Sequence, residues 1–333
     1  MTTRINLALQ GGGAHGAFTW GVIDRLLDEP EIEIAAISGT SAGALNGAAL
    51  KAGLMRGGVE DARDNLDWVW EQMGAIDLPG MPEWMGMSQI SHMMGVSLPF
   101  FVAESWERMV SPYATGPFYE NPLRRIVEKF DFEKVCHADG PPLFVGATNV
   151  RTGKVRVFSG DEIGPEAIMA SACLPTVFRA VEIGEEAYWD GGYSGNPPLF
   201  PLYREDLPPD IVIVNINPLR RDEVPKSPAD IRNRINEVSF NSALLRELRA
   251  IEFAQRLLDQ GAVKEGALKR LYIHMIADDA LMNELSVATK MLPMPQVMLE
   301  LKAAGRRAAD GFLEDHAGKL GKMPSANLDD IFD

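Results

Sequence analysis

The sequence predicts an α/β fold, a three-layer α/β/α arrangement around a central, mostly parallel sheet. Strand-like apolar runs alternate with helical segments along the chain. The runs at residues 5–9, 34–37, 143–150 and 211–214 are too continuously apolar for a sheet with one wet face. The first two each lead through a glycine-rich turn into a helix-like segment.

The run at residues 5–9 ends in Gly11-Gly12-Gly13-Ala14-His15-Gly16, and Val22, Ile23, Leu26 and Leu27 follow at helical spacing. Three consecutive glycines expose backbone N–H groups that can face an anion, including the oxyanion of acyl transfer. The run at residues 34–37 leads to Gly39-Thr40-Ser41-Ala42-Gly43 and then to an alanine-rich helix-like stretch. Strand, sharp turn and helix are the setting a nucleophile elbow needs. A third element is Trp189-Asp190-Gly191-Gly192, a carboxylate after a short strand candidate at residues 186–189.

Together these three pieces resemble the patatin-like phospholipase family. Two further stretches fit: Ala170-Ser171-Ala172-Cys173-Leu174-Pro175, with Cys173 replacing an alanine of the family block, and Asn196-Pro197-Pro198. The resemblance spans residues 5–198 and implies a patatin-like fold and a Ser–Asp dyad that needs no histidine. Carried over, Ser41 is the nucleophile and Asp190 its base, and the backbone of Gly11, Gly12 and Gly13 forms the oxyanion hole. The family often has Arg or Lys where this chain has His15. The expected activity is hydrolysis of a lipid ester, with no metal and no cofactor. A carboxylate is a weak base unless burial raises its pKa, and Tyr188 and Trp189 are the expected apolar wall.

Other readings compete. Gly11, Gly13 and Gly16 match a dinucleotide fingerprint, but such a site needs an acidic residue at the end of the second strand. Ser38-Gly39-Thr40-Ser41 stands there instead. A Ser–His–Asp triad needs a histidine after the acid, which leaves His274 and His316. His274 lies in an apolar strand-like run and reads as a packed residue. His316 lies in a polar helix at residues 310–319 and reads as solvated. A noncatalytic lipid- or nucleotide-binding protein on the same fold is the remaining alternative, and intact Ser41 and Asp190 oppose it.

The other elements follow from periodicity and breakers. Val59, Ala62, Leu66, Val69, Trp70 and Met73 line one face of a helix at residues 59–73. Prolines and glycines then punctuate a Met- and Phe-rich stretch at residues 81–101. It is expected either to pack over the core or to line an acyl channel through Met85, Met93, Met94, Phe100 and Phe101. Asn121-Pro122 opens a helix to Phe130, and Thr152-Gly153 turns a hairpin between strands 143–150 and 154–158. A short helix covers 166–172. A long one runs from about 227 to 260 and is closed by Gly261. One domain spans residues 1–320, with a motif-bearing core at 5–217 and a helical part at 227–318. Residues 321–333 are expected to fray.

Net charge is −15 in 333 residues, which argues against nucleic acid and against general attraction to anionic membranes. A lipid substrate at a membrane or lipid surface remains compatible through a local patch. Cys136 and Cys173 are the two cysteines, which points to a reducing compartment rather than a disulfide scaffold. With no signal-peptide pattern and no apolar stretch of spanning length, the expected location is cytoplasmic, peripheral to a membrane at most.

Overall fold

The structure, a computed structural model, describes residues 2–74, 111–114, 119–264 and 266–332. Among these, eight strands join in one sheet: β1 (Thr3–Leu9), β2 (Ile32–Thr40), β3 (Leu143–Asn149), β4 (Val155–Ser159), β5 (Val181–Ile183), β6 (Glu186–Asp190), β7 (Asp210–Asn215) and β8 (Tyr272–Ala277). The order is β5-β6-β3-β2-β1-β7-β8, with β4 on β3. The contacts among β3, β2, β1, β7 and β8 are parallel, whereas β4, β5 and β6 add antiparallel pairs. The sheet is thus mixed and mostly parallel, as expected. The hairpin expected at Thr152-Gly153 joins β3 to β4, and Gly153 takes the positive φ of 67° that the turn requires.

Helices cover both faces. Successive residues of a strand point to opposite sides. Leu7, Leu9, Ile37, Val145, Val212 and Val214 therefore face a layer formed by α1 (Gly16–Leu26), α2 (Ala42–Arg56), α3 (Val59–Met73) and α6 (Pro295–His316). Ala8, Ala36, Phe144, Ile211 and Ile213 face Leu244, Leu248 and Ile251 of α5 (Pro228–Asp259). A shorter helix, α4 (Pro165–Ser171), sits beside β3. The α1–α6 contact is a bare-backbone crossing: a Cβ on Gly21 would meet Lys302 O at 1.9 Å, and one on Gly305 would meet Phe18 O at 2.0 Å.

The long helix begins at an N-cap, Ser227, whose side chain accepts the Asp230 N–H. The helix expected at residues 121–130 is a single turn, Arg124–Val127, because Asp131 caps a new short helix, Phe132–Val135. The helix expected at 310–319 is the end of the longer α6. Residues 321–332, which composition marks for fraying, dock on the sheet. The Ser325 and Ala326 amides donate to Ile273 O, Gly321 N–H donates to Asp210, and Leu328 is buried.

Register decides where the turns meet. Leu9 pairs with Gly39 and with Val214, so the chain leaves β1, β2 and β7 at the same, C-terminal, end of these parallel strands. Thr40 pairs with Gly146, and the next residue of β3, Ala147, pairs with Asp190. Ser41 and Asp190 are thereby carried to the same point above β3, 149 positions apart in sequence.

Candidate active site

Ser41 is the turn between β2 and α2. Its φ of 55° and ψ of −121° make it the one non-glycine with positive φ among the described residues. Such a conformation costs about 1–3 kcal/mol and persists only where the surroundings impose it. Here they do. The Ser41 N–H donates to Ser171 Oγ at 2.8 Å, and Ser171 donates on to Gly146 O at 2.6 Å. Gly43 packs so tightly on β1 that a Cβ would lie 2.1 Å from Leu9 O. A Cβ on Gly11 would lie 2.7 Å from that of Ser41. The glycines of two motifs are thus required by the approach of the two loops to each other.

Asp190 is fully buried. Burial raises its pKa to about 7, against the opposing influence of the Gly192 N–H and the Ser41 hydroxyl. Oδ1 accepts the Gly192 N–H at 2.8 Å. Oδ2 has no hydrogen-bond partner. Ser41 is therefore near enough to favour the carboxylate, but no well-formed hydrogen bond closes between them. The apolar wall differs from the sequence expectation. Strand alternation turns Trp189 away from the Asp190 face, whereas Tyr188, two residues back, shares that face and packs edge-on against Phe158. Cys173 and Tyr193 stand next to the carboxylate where Trp189 was expected; burial first and its charge second push each of their pKa values up to about 12. Cys173 is accordingly a neutral thiol.

The glycine loop is held by amides. Gly11 N–H donates to Asn196 Oδ1 at 2.6 Å, and Gly11 O accepts from Asn217 Nδ2 at 2.8 Å and Asn196 Nδ2 at 3.3 Å. Gln10 Oε1 accepts from the amides of Ile216 and Asn217, and Gln10 Nε2 reaches Asn241 of α5. All five of Gln10, Asn196, Asn215, Asn217 and Asn241 are buried. Of the three glycine N–H groups, that of Gly11 is engaged by Asn196, and those of Gly12 and Gly13 have no acceptor among the described residues.

His15 is buried and neutral. Desolvation, with the nearby Lys290 ammonium, lowers its pKa well below the ordinary value. Thr289 donates its own proton to Ser286 O, so the 2.9 Å contact makes His15 Nε2 the donor. A cation does stand near the loop, but it is Lys290, in the short helix Val287–Met291 far along the chain. No sequence signal pointed to Lys290, Asn217 or Gln10. Asn196 and Ser171 lie in stretches already singled out, though without these roles.

His274 lies in β8 with both ring nitrogens engaged, by Asp210 at 3.0 Å and Ser325 at 2.9 Å. It is fully buried in the middle of β8, level with Val212 of β7 and Leu7 of β1, with β7 and β1 between it and the strand that carries Ser41. It is a packed residue, as its apolar run suggested. Met85, Met93, Met94, Phe100 and Phe101, the expected channel residues, lie outside the described residues. Among the described residues no His, Cys, Asp and Glu side chains gather to hold a metal ion, and no helix is long and apolar enough to cross a membrane.

The family model for patatin-like phospholipase matches residues 7–203, which is the stretch that carries Ser41, Asp190 and the glycine loop. The chain belongs to the patatin-like phospholipase family. No curated protein matches it. Among solved structures, the patatin-like chain is similar to VipD from Legionella pneumophila, with 16% identity and a TM-score of 0.45 over 94% of this chain and 67% of that one. It is also similar to the heterodimeric ExoU–SpcU complex of the Pseudomonas aeruginosa type III secretion system. There the identity is 17% and the TM-score 0.30, over 73% of this chain and 51% of the other. Family membership makes the chain a lipid hydrolase at the level of class.

Proposed function

We propose that this chain is a serine-dependent lipid acyl hydrolase of the phospholipase A or esterase type. The observation that carries the reading is the strained Ser41 beside a buried Asp190 with one unpartnered oxygen. A raised pKa makes that carboxylate a stronger base than an exposed one, while leaving it ionised in a useful fraction near neutral pH.

In this mechanism Ser41 Oγ attacks the ester carbonyl carbon while its proton passes to Asp190. The Gly12 and Gly13 N–H groups, with the helix N-terminus behind Ser41, stabilise the oxyanion. Collapse of the tetrahedral intermediate releases the alcohol, which takes the proton from Asp190. Water then attacks the acyl-enzyme, delivering a proton to Asp190; collapse of this second intermediate breaks the bond to Ser41 Oγ, which takes that proton back as the fatty acid is freed. The substrate is an ester presented at a lipid surface, and no metal or cofactor enters. A fluorophosphonate probe should label Ser41 in the parent protein and fail to label Ser41→Ala. Labelling elsewhere, with ester hydrolysis intact in Ser41→Ala, would overturn the reading.

A further inference from the structure

The Gly11–Gly12 peptide is trans, so its C=O and its N–H point in opposite directions. Whatever grips Gly11 O therefore aims the Gly12 N–H. The stronger grip is Asn217 Nδ2, at 2.8 Å. An asparagine amide can face either way, and only one orientation offers a donor to a carbonyl. Two neighbours select it: Gln10 Oε1, fixed as an acceptor by the Ile216 and Asn217 amides, takes a second bond from Asn217 Nδ2 at 3.1 Å, and Lys290 Nζ approaches Asn217 Oδ1 at 3.3 Å, where an ammonium, having no lone pair, can face only the oxygen end. Hydrogen bonding to Gly11 O also polarises the peptide and strengthens its N–H as a donor.

We propose that Asn217, held by Gln10 and polarised by the Lys290 ammonium, is a positioning residue that aims the Gly12 N–H at the ester oxyanion. The inference rests on the acyl-hydrolase reading above.

The charge surroundings of Lys290 make this device sensitive to pH. Burial lowers its pKa to about 8; Glu237 of α5 opposes the shift and Arg221 adds to it. Glu237 lies 3.8 Å from Nζ and is itself bound by Arg221 and Arg234. Burial works against its ionisation, but these cations outweigh it and hold its pKa below normal. Asp279 lies beyond, near Glu237 and Arg234, and burial raises its pKa. On the loop side stands neutral His15. Above about pH 8 Lys290 loses its charge, so the hold on Asn217 Oδ1 and the polarisation it passes to Nδ2 weaken, and Gln10 Oε1 is left as the other restraint on the amide.

The test compares kcat, KM and pH profiles on a soluble short-chain ester for the parent, Asn217→Ala, Lys290→Met and Lys290→Arg. The parent kcat should fall above about pH 8. Lys290→Met and Asn217→Ala should lower kcat by about 10–100-fold with KM within about twofold, as expected for a misaimed donor. Lys290→Arg should keep most of the rate and lose the alkaline fall. A kcat within about twofold of the parent in Lys290→Met, or a Lys290→Arg profile that still falls near pH 8, would overturn the proposal. If a variant does not fold, a parent kcat flat to pH 10 does so alone. Failure of the underlying reading is distinguishable, since the parent itself would then neither hydrolyse the ester nor accept the fluorophosphonate at Ser41.

Discussion

At Ser41, strain and reactivity are separable by substitution. Ser41→Ala removes Oγ but keeps a Cβ at positive φ, so activity should fall by about 10³-fold or more with little change in stability. Ser41→Gly should be equally inactive yet more stable than Ser41→Ala by about 1 kcal/mol in urea unfolding, because glycine adopts that backbone freely. Equal stability of the two would mean that the turn stores no strain. At Asp190 the sign follows from linkage. Its folded pKa of about 7 lies above the unfolded value of roughly 3.9, so between these the native state binds more protons. Stability from this group is present in full below pH 4 and is lost as pH rises through 7. Asp190→Asn escapes the loss. Its stability advantage over the parent should grow between pH 4 and 8, toward a few kcal/mol at most, while its rate collapses. Thermal unfolding across that range checks the first half, and ester hydrolysis the second. For the parent, kcat/KM should rise through about pH 7 as Asp190 ionises.

At the scale of elements, Ser171 at the end of α4 ties the elbow to β3. Ser171→Ala would leave the buried Ser41 N–H and Gly146 O without that partner. The expected destabilisation is about 1–3 kcal/mol in denaturant, with a lowered kcat as the turn relaxes. An unchanged midpoint and rate would show that the strand–turn–helix holds itself. The elements themselves are largely legible in the sequence. β1, β2, β3 and β7 announced themselves as apolar runs, the β3–β4 hairpin by Thr152-Gly153, and α5 by Ser227 and Gly261. Local rules failed where a competing local signal or a distant contact decided. Asp131 recaps the chain and cuts the helix expected to reach Phe130. Cys173 and Tyr193, rather than Trp189, adjoin Asp190 because pleat and loop geometry decide what a side chain meets. Lys290 reaches a glycine loop almost the whole chain away, and no spacing rule spans that distance.

For the molecule as a whole, the C-terminal third is built into the same sheet and helix layers as the motif-bearing part. β8 pairs with β7, α6 crosses α1 at Gly21 and Gly305, and α5 covers the second face. A chain ending at Asn217 should therefore lose cooperative unfolding, since it would bare the faces of β1, β7 and α1 to water. A sharp thermal transition at the parental temperature would instead identify residues 1–217 as a separate domain.

The amide clamp on the glycine loop bears on how the protein ages. Asparagine side chains deaminate their amide most readily through a succinimide, formed when the nitrogen of the following peptide attacks the side-chain carbonyl. At Asn196 and Asn217 that event would place a carboxylate against the Gly11 carbonyl and reverse the polarity of the grip. Both are followed by proline, Pro197 and Pro218, whose backbone nitrogen carries no hydrogen and cannot close the ring. The two side chains that hold the loop are thereby shielded from this route of chemical decay by their own neighbours in sequence.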